Sequence, residues 1–280
     1  MASGHRAMAM TKHRAEQSMP VLGKKRSENK TVLIVAGTDS SGGAGLSCDV
    51  ETVASFGLRS AVAVTAVTVQ TDESVRHVEL VAPALVADQM RAALAAHRMA
   101  AIKIGMLGAA EIIGAVSSVI AEHPGIPVVL DPVLASSSGR ALLSLEAVGI
   151  LRQILMPLCR LVTPNLPELA LMAGAPPAQD EKEALRQGAV LLDAGAAALL
   201  IKGGHAAGDH SIDLLLEKGQ PVHRFGAPRL PAEMRGTGCM LASAIAAGLA
   251  SGAPLGRSVA KAKRFVFDKL AVAAETSSPR

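Results

Sequence analysis

Aromatic side chains are nearly missing, with four Phe, no Tyr and no Trp in 280 residues. A stacking platform for single-stranded nucleic acid needs aromatic faces, so that class is excluded. Cysteine is scarce as well. Cys48, Cys159 and Cys239 stand far apart, with no C-x-x-C pair and no even framework. Disulfide scaffolds and structural zinc sites drop out, and a reducing, cytoplasmic setting is expected. No stretch reads as a membrane-crossing helix. The longest uncharged run, Gly236–Gly256, is diluted by Gly, Ser, Ala and Pro and reads as a buried helix followed by a turn. G-x-x-x-x-G-K-[ST], G-x-G-x-x-G, H-E-x-x-H and G-x-S-x-G are all absent. A P-loop NTPase, a Rossmann dehydrogenase, a zincin and an α/β-hydrolase therefore lose ground.

A genuine basic balance is also lacking. The chain carries 28 basic and 24 acidic residues, of which 7 and 2 fall in 1–30, leaving 21 and 22 for the remainder. The positive charge belongs to an N-terminal arm, whereas a nucleic-acid-binding fold carries it on the folded face. The arm has no continuous apolar stretch of secretory type. It reads as a disordered tail, or as the product of a start codon placed too early, more readily than as a transit peptide.

Half of the residues are apolar and 19% are charged, which supplies a large core and excludes global disorder. From residue 31 strand and helix patterns alternate. A continuous apolar run predicts a parallel strand buried on both faces over 31–36, and further strands are read over 60–67, 101–104, 127–130, 161–163 and 197–201. Helices are predicted over 44–56, 83–97, 109–122, 146–155, 180–193, 238–250 and 254–274, with a short one after Asn165. Segments 212–216 and 221–225 read as an antiparallel hairpin. This is an α/β pattern with helices on both sheet faces and one domain over 31–280. In such sheets ligands bind outside the carboxyl ends of the strands.

Two Gly-rich turns fall at those ends. Ser41–Gly45 is either a tight strand-to-helix connection or a phosphate loop. Arg235–Cys239 (RGTGC) opens an Ala-rich helix, where glycines allow close approach and free N–H groups point outward, as an anion site requires. Close packing of a small-residue helix is the plainer alternative.

Seven motifs occur in order: SGGAG…D (Ser41–Asp49), TAVTVQ (Thr65–Gln70), KIGML (Lys103–Leu107), DPV…SG (Asp131–Gly139), TPNLPE (Thr163–Glu168), KGGH (Lys202–His205) and GTGC (Gly236–Cys239). Over about 31–274 the chain resembles the hydroxymethylpyrimidine and phosphomethylpyrimidine kinases of thiamine biosynthesis, in the ribokinase-like superfamily. The resemblance implies a three-layer αβα sandwich around a mostly parallel sheet. It implies ATP-dependent phosphorylation of 4-amino-5-hydroxymethyl-2-methylpyrimidine and then of its monophosphate. Mg²⁺, ATP as co-substrate, a small-molecule pyrimidine and a homodimer are expected, with no nucleic acid and no membrane. Only about 23 residues separate Ala36 from Ser60, and a helix fills most of them, so no separate lid domain is expected.

Residue by residue, Gly236, Thr237 and Gly238 would bind the transferring phosphoryl through their N–H groups, and Cys239 would accept the hydroxyl proton. A thiol at a helix start beside Arg235 is expected to have a lowered pKa. Lys202 and Asn165 would bind nucleotide phosphates, and Asp131 and Glu168 would hold Mg²⁺ through hard oxygens. The plainer readings are a solvated Lys202, Asp131 as a turn residue, and Asn165 with Glu168 as a helix capping box. For the pyrimidine the resemblance points to Gly37, Asp49, Gln70, Met106 and the main chain near Val133. Asp49 as a helix-surface charge and Met106 as core are the alternatives. Some residues depart from the family pattern, namely Arg235, Met240, Ser137, Thr71-Asp72 and the segment 225–234. Two other functions stay open, a pyridoxal-type kinase and a non-catalytic binder on the same fold.

The charge split generates a prediction. Deleting residues 1–30 leaves the thermal midpoint and turnover of the protein unchanged, which a melting curve and a kinase assay on the truncated chain check.

Overall fold

Thr31–Ala36 (β1) is buried at every position. Leu33 and Val35 enter one core, while Val32, Ile34 and Ala36 enter a second on the opposite face. Period-two alternation thus makes one apolar run serve two helical layers. A computed structural model describes residues 1, 30–136, 139, 141–204, 209–232 and 234–277. Around β1 lie the parallel strands β2 (Arg59–Val64) and β5 (Met99–Ile104), then β6 (Val128–Leu130), β7 (Leu161–Val162) and β8 (Ala198–Ile201). The predicted hairpin, β9 (His210–Glu217) and β10 (His223–Pro228), adds an antiparallel edge. The sheet order is β10-β9-β8-β7-β6-β5-β1-β2.

One face packs against α1 (Gly45–Ser55), α7 (Thr237–Ala250) and α8 (Leu255–Ser277). The other packs against α2 (Pro83–Ala96), α3 (Ala110–Ala121), α4 (Leu145–Ile150), α5 (Leu166–Ala173) and α6 (Glu181–Asp193). The three-layer sandwich expected from the sequence is therefore the observed architecture. Among the described residues, no helix is long and apolar enough to cross a membrane.

Two elements differ from expectation. The strand read over 60–67 stops at Val64, and a new strand begins at Ala66. Ala66–Gln70 (β3) and Val75–Leu80 (β4) form a two-stranded hairpin that pairs only with itself. The break falls at Thr65, whose N–H reaches Ala36 O and whose hydroxyl donates to Met106 O. A Val/Ala/Thr run carries no mark of such a bend. The helix expected over 146–155 also rewinds after Ile150, through a π-turn (Leu151–Leu155) into a 3₁₀ turn (Met156–Leu158). Pro157 has no N–H to continue an α-helix.

Strand order reverses between β1 and β5, so the crevice beyond their ends is the topological switch point of the sheet. α7 begins beside that crevice, and its buried residues include Ala242, Ala244, Ala246 and Ala247. Small residues let α8 come close. A Cβ on Gly248 would meet the Oγ of Ser258 at 2.7 Å and its Cβ at 2.8 Å. Gly248→Val is expected to cost about 1–3 kcal/mol by overpacking, read as a shifted urea midpoint at unchanged slope.

Candidate active site

The carboxyl ends of β1, β2, β5, β6, β7 and β8 converge with the N-terminus of α7. Two glycines let the backbones meet. Gly45 has φ +59°, and a Cβ there would lie 2.6 Å from Gly37 O. Gly236 has φ +74°, and a Cβ there would lie 2.3 Å from Gly43 O. The Ser41–Gly45 turn is thus a tight strand-to-helix connection that also packs against the start of α7. Gly236 caps α7 in the left-handed conformation without a side-chain cap, leaving the first N–H groups of the helix without a side-chain acceptor.

Beside that N-terminus lies a buried charge cluster. Lys202 Nζ is 2.7 Å from Asp131 Oδ1 and 3.6 Å from Glu168 Oε2. Thr163 Oγ1 donates to the same Asp131 oxygen at 3.3 Å. A Cβ on Gly238 would be 3.3 Å from Lys202 Nζ and 3.6 Å from Asp131 Oδ2, so helix start and cluster face each other. Burial pushes Asp131 upward, but Lys202 and Lys103 outweigh it and hold the carboxyl below the usual carboxylate range. Burial raises Glu168, opposed by Lys202. Burial also works against the Lys202 ammonium, and Asp131 with Glu168 more than compensates. Lys202 is therefore a paired, buried cation rather than a solvated lysine.

Asn165 and Glu168 make the complete capping box of α5. Asn165 N donates to Glu168 Oε2 at 2.8 Å, and Glu168 N donates to Asn165 Oδ1 at 2.8 Å. The plainer reading of these two residues is realised, and the same box carries Glu168 to Lys202. The donor chemistry fits a hard divalent cation. Two carboxylates flank one ammonium beside an anion-directed helix start, and Mg²⁺ takes one or two protein carboxylates with phosphates and water completing its shell.

A second ion pair lies deeper. Lys103 Nζ is 2.6 Å from Asp49 Oδ2, with both side chains fully buried. Ser243 Oγ donates to Asp49 Oδ1 at 2.7 Å. Burial raises Asp49 against the pull of Lys103. Burial disfavours the Lys103 ammonium, which Asp49 and its neighbours nonetheless raise. This corrects the reading of Asp49 as a helix-surface charge: it is fully buried, with Lys103 on one oxygen and Ser243 on the other. Lys103 itself was not singled out, although a lysine in the apolar strand MAAIKI signals a buried counter-ion.

Cys239 on the first turn of α7 also departs from expectation. Burial pushes its thiol up to about 12, reinforced by Asp49 and Asp131 and opposed by Lys103 and the N–H of Gly45. The Arg235 guanidinium points away from it, toward Asp39 and Asp72. The resting group is a thiol, not a thiolate. Cys48 and Cys159 are buried free thiols, as expected. Burial pushes Cys48 up to about 11, and its Sγ lies 3.7 Å from Gly236 O.

At the switch point Met106 covers Gly37, where a Cβ would meet its Sδ at 3.2 Å. Val133 follows β6, half-buried, with its N–H on Asp131 O at 2.8 Å. Gln70 ends β3, and its backbone N–H and C=O are both bonded to the Ser40 hydroxyl at 2.8 Å. Gly37, Met106 and Gln70 thus border one crevice, whereas Asp49 lies behind it. Ser137 and His205 lie outside the described residues.

A glycine-opened helix facing a Lys–Asp–Glu cluster, at the switch point of a ribokinase-like sheet, defines a small-molecule phosphotransferase. The Phosphomethylpyrimidine kinase family matches residues 39–278, and the chain belongs to it. It is 41% identical over 242 residues to the hydroxymethylpyrimidine/phosphomethylpyrimidine kinase of Rhizobium meliloti (strain 1021), covering 86% of this chain and 90% of that one. The structure of phosphomethylpyrimidine kinase from Clostridium difficile 630 matches with TM-score 0.75 and 31% identity, over 86% and 99% of the two chains. The pyridoxal kinase from Staphylococcus aureus in complex with pyridoxal matches with TM-score 0.79 and 29% identity, over 86% and 88%.

The buried pair gives a sharp test. Lys103→Met strands the Asp49 carboxylate and is expected to cost about 3–5 kcal/mol. The double variant Lys103→Met/Asp49→Asn recovers part of that loss in urea unfolding, because no charge is left alone.

Proposed function

We propose that this protein transfers the γ-phosphoryl group of ATP to 4-amino-5-hydroxymethyl-2-methylpyrimidine and then to the monophosphate, yielding the diphosphate used in thiamine biosynthesis. The observation that carries the reading is the meeting of the α7 N-terminus with the Lys202–Asp131–Glu168 cluster. Family membership supplies the substrate class. Phosphoryl transfer needs positioning and charge neutralisation more than covalent help from the protein. The N–H groups of Gly236, Thr237 and Gly238 receive the transferring phosphoryl, and Lys202 neutralises its charge. Asp131 and Glu168 would hold Mg²⁺, with Asn165 beside the phosphates, and the ion would supply charge neutralisation.

The pyrimidine lies between Met106 and the Gly37 backbone, with Gln70 and the main chain of Val133 on its polar edge. The hydroxymethyl oxygen forms a bond to the γ-phosphorus as the bond to the ADP oxygen breaks, and its proton passes to Cys239. Because the resting thiol titrates near 12, its thiolate is scarce at neutral pH and grows about tenfold per pH unit below that value. The Lys103 ammonium, with the Gly45 N–H, favours the thiolate. The three free thiols agree with a cytoplasmic setting.

ADP release with the pyrimidine, with pyridoxal and with neither tests the reading. Release with the pyrimidine is expected. Release with pyridoxal alone favours the second kinase, and no release in any arm favours a binder. Cys239→Ala is expected to lower kcat by about 10²–10⁴-fold with little change in pyrimidine affinity. The parent kcat is expected to rise from neutral into alkaline pH. An alanine variant within about threefold of the parent removes Cys239 as the proton acceptor.

A further inference from the structure

Arg235 and the Thr71-Asp72 pair both depart from the family pattern, and the structure brings them into contact. The guanidinium of Arg235 spans three pieces of chain. Its NH2 is 3.1 Å from Asp39 Oδ2. Its NH1 is 3.0 Å from Asp72 Oδ1, 3.1 Å from Thr71 O and 2.7 Å from Ser41 Oγ. Asp39 and Ser41 belong to the loop after β1. Thr71 and Asp72 form the tip of the β3–β4 hairpin. Arg235 itself precedes the phosphate-facing turn of α7.

Apart from Arg235, the hairpin is held chiefly near its root, where the Thr38 N–H donates to Ala66 O at 2.8 Å. It pairs with no other strand, and Val67 and Val69 are exposed on its outer side. Thr38 and Thr68 join it to the β1 loop near its root, through bonds of 3.2 and 2.8 Å. Ser40 and the Gln70 backbone join it near its tip, through two bonds of 2.8 Å that are open to water. Loop and hairpin therefore form one unit, and Arg235 fastens that unit to α7.

We propose that Arg235 is a positioning residue, a latch that holds the hairpin and its Gln70 at a fixed distance from the Gly236–Cys239 turn. The two legs of the latch are unequal. The Asp39 side chain is 1% exposed, whereas that of Asp72 is 80% exposed. Asp39 also accepts from the Ser41 N–H and hydroxyl, at 2.8 and 2.7 Å, so it stays in place as an anchor. The Asp72 leg is screened by salt and releases first. A planar guanidinium reaches all four acceptors at once, and an ammonium does not.

The test has two arms. Hydrogen exchange of residues 66–80 in the ligand-free full chain does not depend on the function proposed above. Asp72→Asn is expected to speed exchange there severalfold and to leave β5 and α3 unchanged. Arg235→Lys is expected to match it, and Arg235→Met to exceed it. Molar NaCl is expected to bring the parent to the level of Asp72→Asn. The kinetic arm rests on the pyrimidine-kinase reading. There, Asp72→Asn is expected to raise the pyrimidine KM by about twofold to fivefold, with kcat changed less. Unchanged exchange over 66–80 in both Asp72→Asn and Arg235→Met overturns the latch, whatever happens to thermal stability. Faster exchange without pyrimidine turnover upholds the latch and sinks the proposed reaction instead. Asp72 is exposed enough that its variant folds, so the test survives an unstable Arg235→Met.

Discussion

A lysine shielded from water ties three elements of this protein together. Lys103 comes from β5, its counter-ion Asp49 from α1, and the hydroxyl that completes the carboxylate from Ser243 on α7. Each group is costly to bury alone, and each is tolerable only in the presence of the others. The pair therefore demands that α1 and α7 take one placement over the sheet. That placement is what allows Gly45 to approach Gly37 and Gly236 to approach Gly43, because both contacts are backbone against backbone and leave no room for adjustment. The crevice at the switch point inherits its shape from this buried constraint rather than from the residues that line it.

Electrostatically the site is graded by depth. The Lys103–Asp49 pair is sealed. The Lys202–Asp131–Glu168 cluster is nearly buried yet faces the helix start. The Arg235 network lies outermost, with one leg in water. Cations thus recur from the core to the rim, each accompanied by carboxylate. An incoming polyanion meets positive charge that is already partnered, so it competes for ammonium and guanidinium groups instead of finding them bare. The same arrangement keeps the ligand-free protein from storing a large unbalanced charge in its interior.

Much of this was legible in the sequence. Continuous apolar runs located the parallel strands, because burial on both faces leaves no polar alternation to interpret. The Gly-rich turn before α7 and the residues at the strand ends fell into one region, because the strands run parallel and end on one side. What was not legible depended on partners distant in the chain. The burial of Asp49 was not legible, because nothing in its neighbourhood reveals that Lys103, 54 residues away, is its counter-ion. The hairpin after β2 was read through, since Thr65 bends the chain by hydrogen bonds to Ala36 and Met106 that no local pattern announces. The thiol of Cys239 was placed correctly on the helix start. Its ionisation was misjudged because the helix dipole acts near the surface, while desolvation and two buried carboxylates dominate inside.

The capping box of α5 carries a consequence for how this site can change. Glu168 accepts the Asn165 N–H that begins the helix, and the same carboxylate oxygen faces Lys202. One atom therefore belongs both to the grammar of folding and to the chemistry of the crevice. A substitution that changes the charge offered to Lys202 at this position also loosens the first turn of α5. Variation there is constrained twice over, by the helix start and by the buried ammonium.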